Sequence, residues 1–466
     1  MFFPKLTAPP QQRITADRFL GLDRRGGSPM GSFREMENLW AGGYPVMETR
    51  PARGVVAMLK EPRGLICRDA PVWVDGRTLF INGQKTELVL TDGDKQLVSM
   101  GAYLLIWPDK KYINTQDLTE YGGLENRTVS TGEVTVSLCR NSGEELGSYS
   151  IGEEAPVSPG PGSLWMDTAD GELKRYDGGS WLEVENVCTK VAATGIGRGF
   201  AAGDGVTVRG CETEGVDGLY PLQAADENWI AVPGMCRTVG SQTAAVTVER
   251  AIPDMDFVVE QGNRLWGCKY GIVNGEPVNE IYASKLGDFR NWNSFAGLST
   301  DSYAAARGSD GVFTGAAACL GGVIFFKEDC MERVYPSAAG AHQIVTLRCP
   351  GVKKGCGGSA ALVDGTLLYV GLNGVYAFDG SMPACVSLPL GNVRLENAVA
   401  TGWNGQYWLA ARDAAGKRRM LRGSGMCWCT TPPTVCGTGR TTRTSWRLPC
   451  ATGRCTVWSA AGRCWT

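Results

Sequence analysis

Polar and apolar residues alternate in short runs along most of the chain, and one of the clearest runs opens residues 279–302. Within 280–284, polar side chains alternate with Ile281 and Ala283, the pattern of a half-buried strand. Gly287 then marks a turn. Three aromatic residues follow at a spacing of three, too short a run for a long helix: Phe289, Trp292 and Phe295. We predict a strand followed by a compact loop whose aromatic side chains enter the core, with an interface anchor as the alternative.

Hairpin-like units of similar form recur on both sides of this segment. Each has a glycine turn followed by an apolar or aromatic strand, with turns at Gly76, Gly101, Gly262, Gly322, Gly365 and Gly405. The later turns lie about 40 to 60 residues apart, close to the period of four-stranded propeller blades. We therefore predict an all-β chain, a β-propeller-like repeat of four-stranded blades. A β-sandwich or an irregular β-repeat is the alternative.

The pattern changes in four places, which gives five predicted regions. An extended N-terminal arm covers residues 1–18, and the first part of the propeller covers 19–128. The composition changes after about Thr128, and residues 129–250 form an inserted all-β module that contains a Pro- and Gly-rich linker near Pro159. The remaining blades cover 251–425, and an anomalous tail covers 426–466.

The tail differs from the rest of the chain in composition. It holds six Cys, four Trp, ten Thr and five Arg, but no Asp, Glu or Lys, and it shows neither hydrophobic period. Its cysteine spacings fit no common zinc-ligand pattern. Our preferred interpretation is translation out of frame, because permitted codons read two bases later allow one more hairpin. Sequencing the gene tests this hypothesis.

Composition narrows the function classes. The 466 residues carry a net charge of −2, so nucleic acid is not the default partner. No run of 18 apolar residues occurs and the start lacks a signal-peptide pattern, so we expect no membrane contact and synthesis in the cytoplasm. The 17 cysteines include no CxxC pair, and we expect those before the tail to be reduced, buried residues.

Candidate chemistry is sparse, and each pattern has a simpler structural explanation. The only histidine, His342, argues against a histidine-based triad or a multi-histidine metal site. The other patterns are an acidic cluster (Asp254, Asp256, Glu260), a glycine-rich loop (195–199), spaced aspartates (Asp167, Asp170, Asp177), Asp301-Ser302 without a base, and arginines for DNA phosphates (Arg24, Arg25, Arg50, Arg53). We predict no enzyme, no catalytic, cofactor-binding or metal-binding residues, and no cofactor.

Two parts of the chain resemble a known family. Residues 19–22, 31–39 and 50–54 look like the opening of tailed-bacteriophage packaged-DNA stabilisation proteins, which complete the head at the head–tail connector. Residues 263–267, 279–284, 287–292 and 325–328 are similar to related virion proteins. The resemblance spans about residues 17–60 and 250–410. The inserted module and the tail depart from it.

The resemblance implies a structural virion protein at the portal. Its copies would associate into a ring that retains packaged DNA and provides a platform for the tail. The implied partners are portal or adaptor proteins, tail components and other copies of the chain, with non-specific contact to packaged DNA as a further possibility. The alternative is a phage tail or surface β-propeller that binds a host glycan or receptor, which Trp165 and Trp181 would support if they lined a cleft. A hydrolase on a propeller scaffold is a third hypothesis, which the single histidine disfavours.

Overall fold

The structure is a computed structural model. It describes residues 15, 17–35, 39–40, 46, 48–49, 55–67, 70–295, 297–336, 342–391, 394–403 and 405–413, and short strands between 426 and 465. The chain divides into two units. One contains Val72–Phe325 and Glu332–Thr346, and the other contains Met1–Pro71, Phe326–Met331 and Leu347–Thr466. Among the described residues there is no α-helix, and the two 3-10 helices are Gly357–Ser359 and Leu388–Leu390.

Outside the inserted module, five sheets of the described residues are each made of four strands in chain order, the arrangement expected of propeller blades. Their strands are Pro62–Cys67, Pro71–Asp75, Thr78–Ile81 and Gln84–Val89; Gln96–Met100, Tyr103–Trp107, Lys111–Asn114 and Tyr121–Gly123; Phe257–Glu260, Leu265–Val273, Glu276–Ala283 and Tyr303–Ala306; Gly315–Cys319, Gly322–Phe326, Cys330–Pro336 and His342–Arg348; Ala361–Val363, Thr366–Gly371, Gly374–Phe378 and Ala384–Cys385. This confirms the predicted all-β, propeller-like series of four-stranded sheets.

Further strands complete the described structure. A three-stranded sheet contains Leu395–Trp403, Gln406–Asp413 and Met426–Thr430, and the smaller groups are Gly21–Leu22 with Ser32–Phe33, Leu39–Trp40 with Glu48–Thr49, Cys450–Ala451 with Arg454–Cys455, and Val55–Met58 with Arg463–Trp465 and Val457–Trp458. Most of the tail lies outside the described residues, so its out-of-frame origin stays a prediction. The predicted N-terminal arm lies almost wholly outside them as well.

The hairpin turns follow the glycine pattern, with one correction. Gly76 and Gly365 have φ of 58° and 80° and connect paired strands, as turns that need positive φ predict. The predicted turn at Gly322 is wrong by one position. Leu320 and Gly321 take the positive φ values of 52° and 74°, and Gly322 begins the next strand. A Cβ at Gly322 would overlap the carbonyl oxygen of Val334, so close strand packing explains this glycine instead.

The inserted module is all-β, as predicted. Its sheets are Asn126–Val129, Thr247–Arg250, Gly205–Arg209 and Gly218–Pro221; Ala224–Asp226, Trp229–Pro233, Val187–Thr194, Thr131–Arg140 and Gly240–Gln242; Tyr149–Gly152, Leu164–Asp167, Glu172–Tyr176 and Trp181–Glu183. Alternation in Thr131–Arg140 places Val134, Val136 and Leu138 in one apolar core. The first and last of these strands pair with each other, antiparallel, from Asn126 opposite Arg250 to Val129 opposite Thr247.

Polar side chains connect the module to the loop after Glu276–Ala283. The Asn291 amide donates from Nδ2 to the Gly203 carbonyl at 2.6 Å. The Arg250 guanidinium pairs with buried Asp204 at 2.5 Å and also donates to the Leu124 carbonyl at 3.1 Å. The Asn291 Nδ2 and the Arg250 guanidinium each have a partner, which offsets the cost of burying them, whereas the buried Oδ1 of Asn291 has none. The module is therefore held at a defined position against the neighbouring strands.

The aromatic loop is partly as predicted. Ile281 and Ala283 are fully buried, which confirms the strand, and Phe289 and Trp292 enter the core as expected. Phe295 is 50% exposed, so the prediction of a core position is wrong for this residue. It follows the last buried aromatic by three positions, but the chain has by then turned outward into an exposed loop.

Candidate ligand-binding cleft

A cleft of about 270 Å³ opens within the unit Val72–Phe325 and Glu332–Thr346. Three parts of the chain line it: the turn and strand from Gln261 to Trp266, the loop around Ser299, and the strand ends near Gly322, Val334 and His342. Its lining residues are Gln261, Gly262, Arg264, Trp266, Leu286, Ser299, Thr300, Gly321, Gly322, Val323, Val334, Tyr335 and His342. The cleft thus combines aromatic faces, hydroxyl groups, an amide and one guanidinium.

The aromatic wall is built on two neighbouring sheets. Trp266 belongs to Leu265–Val273, where alternation directs it into the cluster that contains Phe325 and Val334. Its indole Nε1 donates to the Gln261 carbonyl at 3.3 Å. The imidazole of His342 meets the Trp266 ring edge-on, with ring centroids 4.8 Å apart. Trp266 is 3% exposed, so the body of its ring is fixed by packing.

Arg264 forms the floor beside this wall. Its Nη1 donates to the carbonyls of Ser284 at 3.0 Å and Asp301 at 2.5 Å, and its Nη2 donates to the Ser299 carbonyl at 3.0 Å. The guanidinium carbon lies 6.0 Å from the Trp266 ring centroid. Burial lowers the pKa of Arg264 from its ordinary value, yet it remains a cation at neutral pH. This side chain fixes the loop and places a positive charge in the cleft.

Backbone contacts hold the loop side of the cleft. The Leu286 amide donates to the Thr300 carbonyl at 2.8 Å, and the Asp301 carboxylate accepts the Leu298 amide at 2.9 Å. The side chains of Ser299 and Thr300 are exposed at the rim. They are therefore free to turn toward a bound molecule without disturbing the core.

The electrostatics of the cleft are one-sided. None of the described residues that line it is acidic, whereas Arg264 is cationic. Burial, together with the nearby charge of Arg264, lowers the pKa of His342 below its ordinary value of 6.5. His342 is therefore neutral at pH 7, with one ring nitrogen able to donate and the other able to accept. The arrangement can bind polar or anionic groups beside an aromatic surface.

Sequence patterns do not predict this cleft. The strand-like run around His342 predicts a structural or exposed histidine, and in the structure His342 is half-buried and packed on Trp266. Arg264 and Trp266 lie in one of the segments that carry the family resemblance, which assigns them no role. The lining comes from three segments that are distant in sequence. One feature of the sequence could have indicated the cleft. An arginine and a tryptophan lie two positions apart directly after a turn, and in an extended chain this spacing places both side chains on one face.

The acidic cluster is a set of separate structural contacts. Asp254 pairs with Lys110 at 2.8 Å, and Asp256 pairs with Lys269 at 2.9 Å. Glu260 accepts the Asn263 amide at 3.0 Å, and Asp301 supports the loop described above. Among the described residues, no three His, Cys, Asp or Glu side chains are placed to hold a metal ion.

The aspartates of the inserted module also have structural roles. Asp167 and Asp170 both accept from the Lys174 ammonium, at 2.8 and 2.6 Å, and Asp177 accepts the amides of Gly179 and Ser180. The hydrogen bond from Lys174 is the main reason that the pKa of Asp167 is lowered. These contacts fix hairpins.

Trp165 and Trp181 of the module pack on each other. Trp165 is 6% exposed, and its indole donates to the Gly152 carbonyl at 3.0 Å. Trp181 meets it edge-on at 5.4 Å, and Tyr176 packs on Trp181 at 5.3 Å. The Lys174 ammonium lies 5.4 Å from the Trp165 ring centroid. The ring of Trp165 is thus covered by Trp181 and Lys174.

The glycine-rich loop and two of the four candidate arginines also make structural contacts. In the glycine-rich loop, Gly197 lies against the carbonyls of Asp226 and Trp229, so it meets backbone. Arg25 pairs with Asp23 at 2.7 Å, and the Arg24 amide donates to the Pro389 carbonyl. Arg50 and Arg53 lie outside the described residues.

Comparison with known proteins gives similarity only to solved structures. No protein-family model matches the chain, and no curated protein matches it. Among solved structures, PorZ, a surface component of the type-IX secretion system of Porphyromonas gingivalis, is 12% identical, with a TM-score of 0.31 over 86% of this chain and 62% of its own. The phage phi92 endosialidase is 9% identical, with a TM-score of 0.29 over 89% and 65%.

A third similar structure is the extracellular domain of the one-component system BT4673 from B. thetaiotaomicron. It is 10% identical, with a TM-score of 0.17 over 87% of this chain and 74% of its own. The chain spans less than two thirds of the length of the first two proteins. These TM-scores are too low to support an argument about function. Within the described residues, no helix has the length and apolar character needed to cross a membrane.

Proposed function

We propose that the protein is a β-propeller-like binding subunit of a tailed-phage virion, and that its cleft at Trp266 and His342 binds a glycan of the bacterial surface. The cleft is the observation that carries the proposal. Its volume of about 270 Å³ lies just below the usual range of ligand pockets, which suits a single sugar ring. The virion location and synthesis in the host cytoplasm rest on the family resemblance of residues 17–60 and 250–410.

The chemistry of the cleft supports binding over hydrolysis. Glycoside hydrolysis ordinarily uses two carboxyl groups on either side of the scissile bond. Among the described lining residues there is none, whereas the hydroxyl groups of Ser299 and Thr300 and the amide of Gln261 are suited to hydrogen-bond sugar hydroxyls. Tyr335 and the edge of Trp266 offer the apolar surface on which a sugar ring packs. A non-enzymatic binding role follows.

The test uses a variant that fills the cleft without removing any core side chain. Ser299→Trp places an indole at the rim, and Leu298→Trp adds the same group at the adjacent exposed position, which does not line the cleft. We expect the unaltered protein and Leu298→Trp to bind bacterial surface oligosaccharides on an immobilised panel, and Ser299→Trp to lose that binding. Equal binding by both variants, or no binding by the unaltered protein, would refute the proposal.

A second candidate is the structural role at the head–tail junction. Four exposed apolar side chains lie on loops that line the cleft or are close to its lining residues in sequence: Leu286, Phe295, Leu298 and Leu320. Exposed apolar side chains that collect into a patch are typical of protein interfaces. Copies of the chain would associate head-to-tail into a closed ring on portal or adaptor proteins, retain packaged DNA and receive the tail.

Deletion of the gene in the parent phage separates the two candidates. Heads that fill with DNA and then lose it would support the head–tail role. Particles that are tailed and full of DNA but fail to adsorb to cells would support glycan recognition. The amount of DNA in purified heads and the adsorption rate are the two measurements.

A further inference from the structure

We propose that the cleft selects sugars that carry a carboxylate, and that Arg264 is the group that recognises it. This inference rests on the proposed function and adds the charge class of the ligand. It goes beyond the shape of the cleft because a neutral sugar would satisfy the aromatic wall and the hydroxyl groups equally well.

Arg264 is a buried cation with only neutral acceptors. It is 3% exposed, and its hydrogen bonds go to the carbonyls of Ser284, Ser299 and Asp301. Among the described residues, no carboxylate lies within ion-pair distance of its guanidinium. Burying a charge without a counter-charge is costly, and three carbonyls offset only part of that cost. A ligand carboxylate would supply the missing charge.

Asp301 does not fill this role. Its charge acts on Arg264 at longer range, but its carboxylate accepts the Leu298 amide at 2.9 Å and the Ser294 hydroxyl at 3.4 Å. Only the backbone carbonyl of Asp301 contacts the guanidinium. The carboxylate therefore serves the loop, and the cleft keeps a net positive character.

One edge of the planar guanidinium matches the geometry of a carboxylate. Both hydrogens of Nη1 and one of Nη2 go to the carbonyls of Ser284, Asp301 and Ser299, so a ligand carboxylate would meet Nε and the second hydrogen of Nη2. Arginine binds carboxylates through such paired, charge-assisted hydrogen bonds, which are stronger than those between neutral groups. The lining has no acidic side chain to repel an anion, and Tyr335 and Trp266 would contact the apolar face of the same sugar ring. A uronic acid or another acidic monosaccharide unit satisfies both requirements together.

The experiment uses matched pairs of oligosaccharides. Oligomers of galacturonate, glucuronate and mannuronate are compared with their carboxyl-reduced forms, which differ only in the acidic group. His342 is the sole histidine and lines the cleft, so its NMR resonance reports occupancy without assignment work. We expect at least one acidic oligomer to shift this resonance and to bind roughly tenfold or more tightly than its reduced form, the range of a charge-assisted hydrogen bond.

Two rim variants test the charge without disturbing the buried arginine. Ser299→Asp adds a carboxylate at the exposed rim, and Ser299→Asn adds similar volume without charge. We expect Ser299→Asp to abolish the preference for the acidic oligomer. Ser299→Asn removes the same hydroxyl without adding charge, so we expect it to weaken the acidic and the reduced oligomer by the same factor and to keep the ratio of their affinities. Arg264→Lys retains the charge but loses the planar fork, so we expect it to reduce the ratio, provided that circular dichroism shows a folded protein.

The outcomes separate this inference from the proposed function. If the reduced oligomers bind as tightly as the acidic ones, glycan binding stands and Arg264 recognition is overturned. If no oligosaccharide in the panel moves the His342 resonance and none is captured by the protein, both proposals are overturned. A preference for the acidic oligomers that Ser299→Asp leaves intact also overturns the assignment to this cleft.

Discussion

Two sites in this protein each place a cationic side chain against a tryptophan ring, but the cation has different partners in each. At Trp165, the Lys174 cation lies over the ring and is neutralised by Asp167 and Asp170. At Trp266, the Arg264 cation lies beside the ring, and its acceptors are backbone carbonyls. The first site is closed by Trp181, and the second opens as a cleft. An aromatic residue next to a cation therefore does not by itself indicate a binding site. What matters is whether a carboxylate of the protein already neutralises the cation.

The largest expected difference between the two sites is in how much the loss of a tryptophan lowers the free energy of unfolding of the protein. Trp266→Ala removes a buried ring from the core and should lower the free energy of unfolding by about 3–5 kcal/mol. Trp181→Ala truncates a half-buried ring and should cost about 1 kcal/mol. Urea unfolding followed by circular dichroism measures both. Equal losses would show that the module cluster is as well packed as the cleft wall.

Lys174→Met should remove an acid-dependent part of the module's stability. Lys174 lowers the pKa of Asp167, so the pair stabilises the fold above the unfolded-state pKa of about 4 and loses this contribution as pH falls through the folded-state value. The variant should melt at lower temperature at pH 7, with a smaller difference at pH 3. Lys174→Arg retains the charge and is the control. A constant difference across this pH range would contradict the assignment.

His342 should titrate below about 6.5, because burial and Arg264 favour its neutral form. The unfolded chain takes up this proton first, so the contribution to stability is complete above the unfolded-state pKa. It declines as pH falls from there to the folded-state value. The chemical shift of this one histidine against pH gives the value directly. Ser299→Asp should raise it, and a folded-state pKa at or above 6.5 in the unaltered protein would contradict the positive character of the cleft.

The smallest expected effect is at the exposed loop. Leu298 is 66% exposed, so Leu298→Ser should change the free energy of unfolding by no more than about 0.5 kcal/mol. If the loops beside the cleft form the ring interface, the same change should reduce self-association in analytical ultracentrifugation. Ile272→Ser, at an exposed position on the strand Leu265–Val273, is the control. Unchanged association in the Leu298 variant would argue against this interface.

The repeating architecture could be predicted from sequence because its signals are local. Asp75-Gly76 and Asp364-Gly365 specify hairpins within a few residues, and alternation around Ile281 specifies the buried face. The error at Gly322 arose because Leu320 takes a positive φ, which is uncommon for a residue with a Cβ. Turn residues and alternation thus predict the strands correctly but place one turn a residue too late.

The cleft could not be predicted because it depends on which sheets are neighbours. Periodicity assigns Trp266 to a buried face but does not show that His342 will meet it. Arg264 has the sequence appearance of a surface charge, and only the fold shows that three carbonyls from separate positions converge on it. In the same way, the sequence could not show that Trp181 covers Trp165, since both are tryptophans near a turn.

The pairing of Asn126–Val129 with Thr247–Arg250 has a consequence for how such a chain can change over time. The two strands lie side by side, so the path that leaves the series of blades returns to it at nearly the same point. A change in the length of the chain between them need not move the flanking strands. The hydrogen bonds from Asn291 to Gly203 and from Arg250 to Leu124 then hold the inserted module in place. The paired strands Asn126–Val129 and Thr247–Arg250 are therefore a position at which the inserted module can vary during evolution while the four-stranded sheets on either side keep their fold.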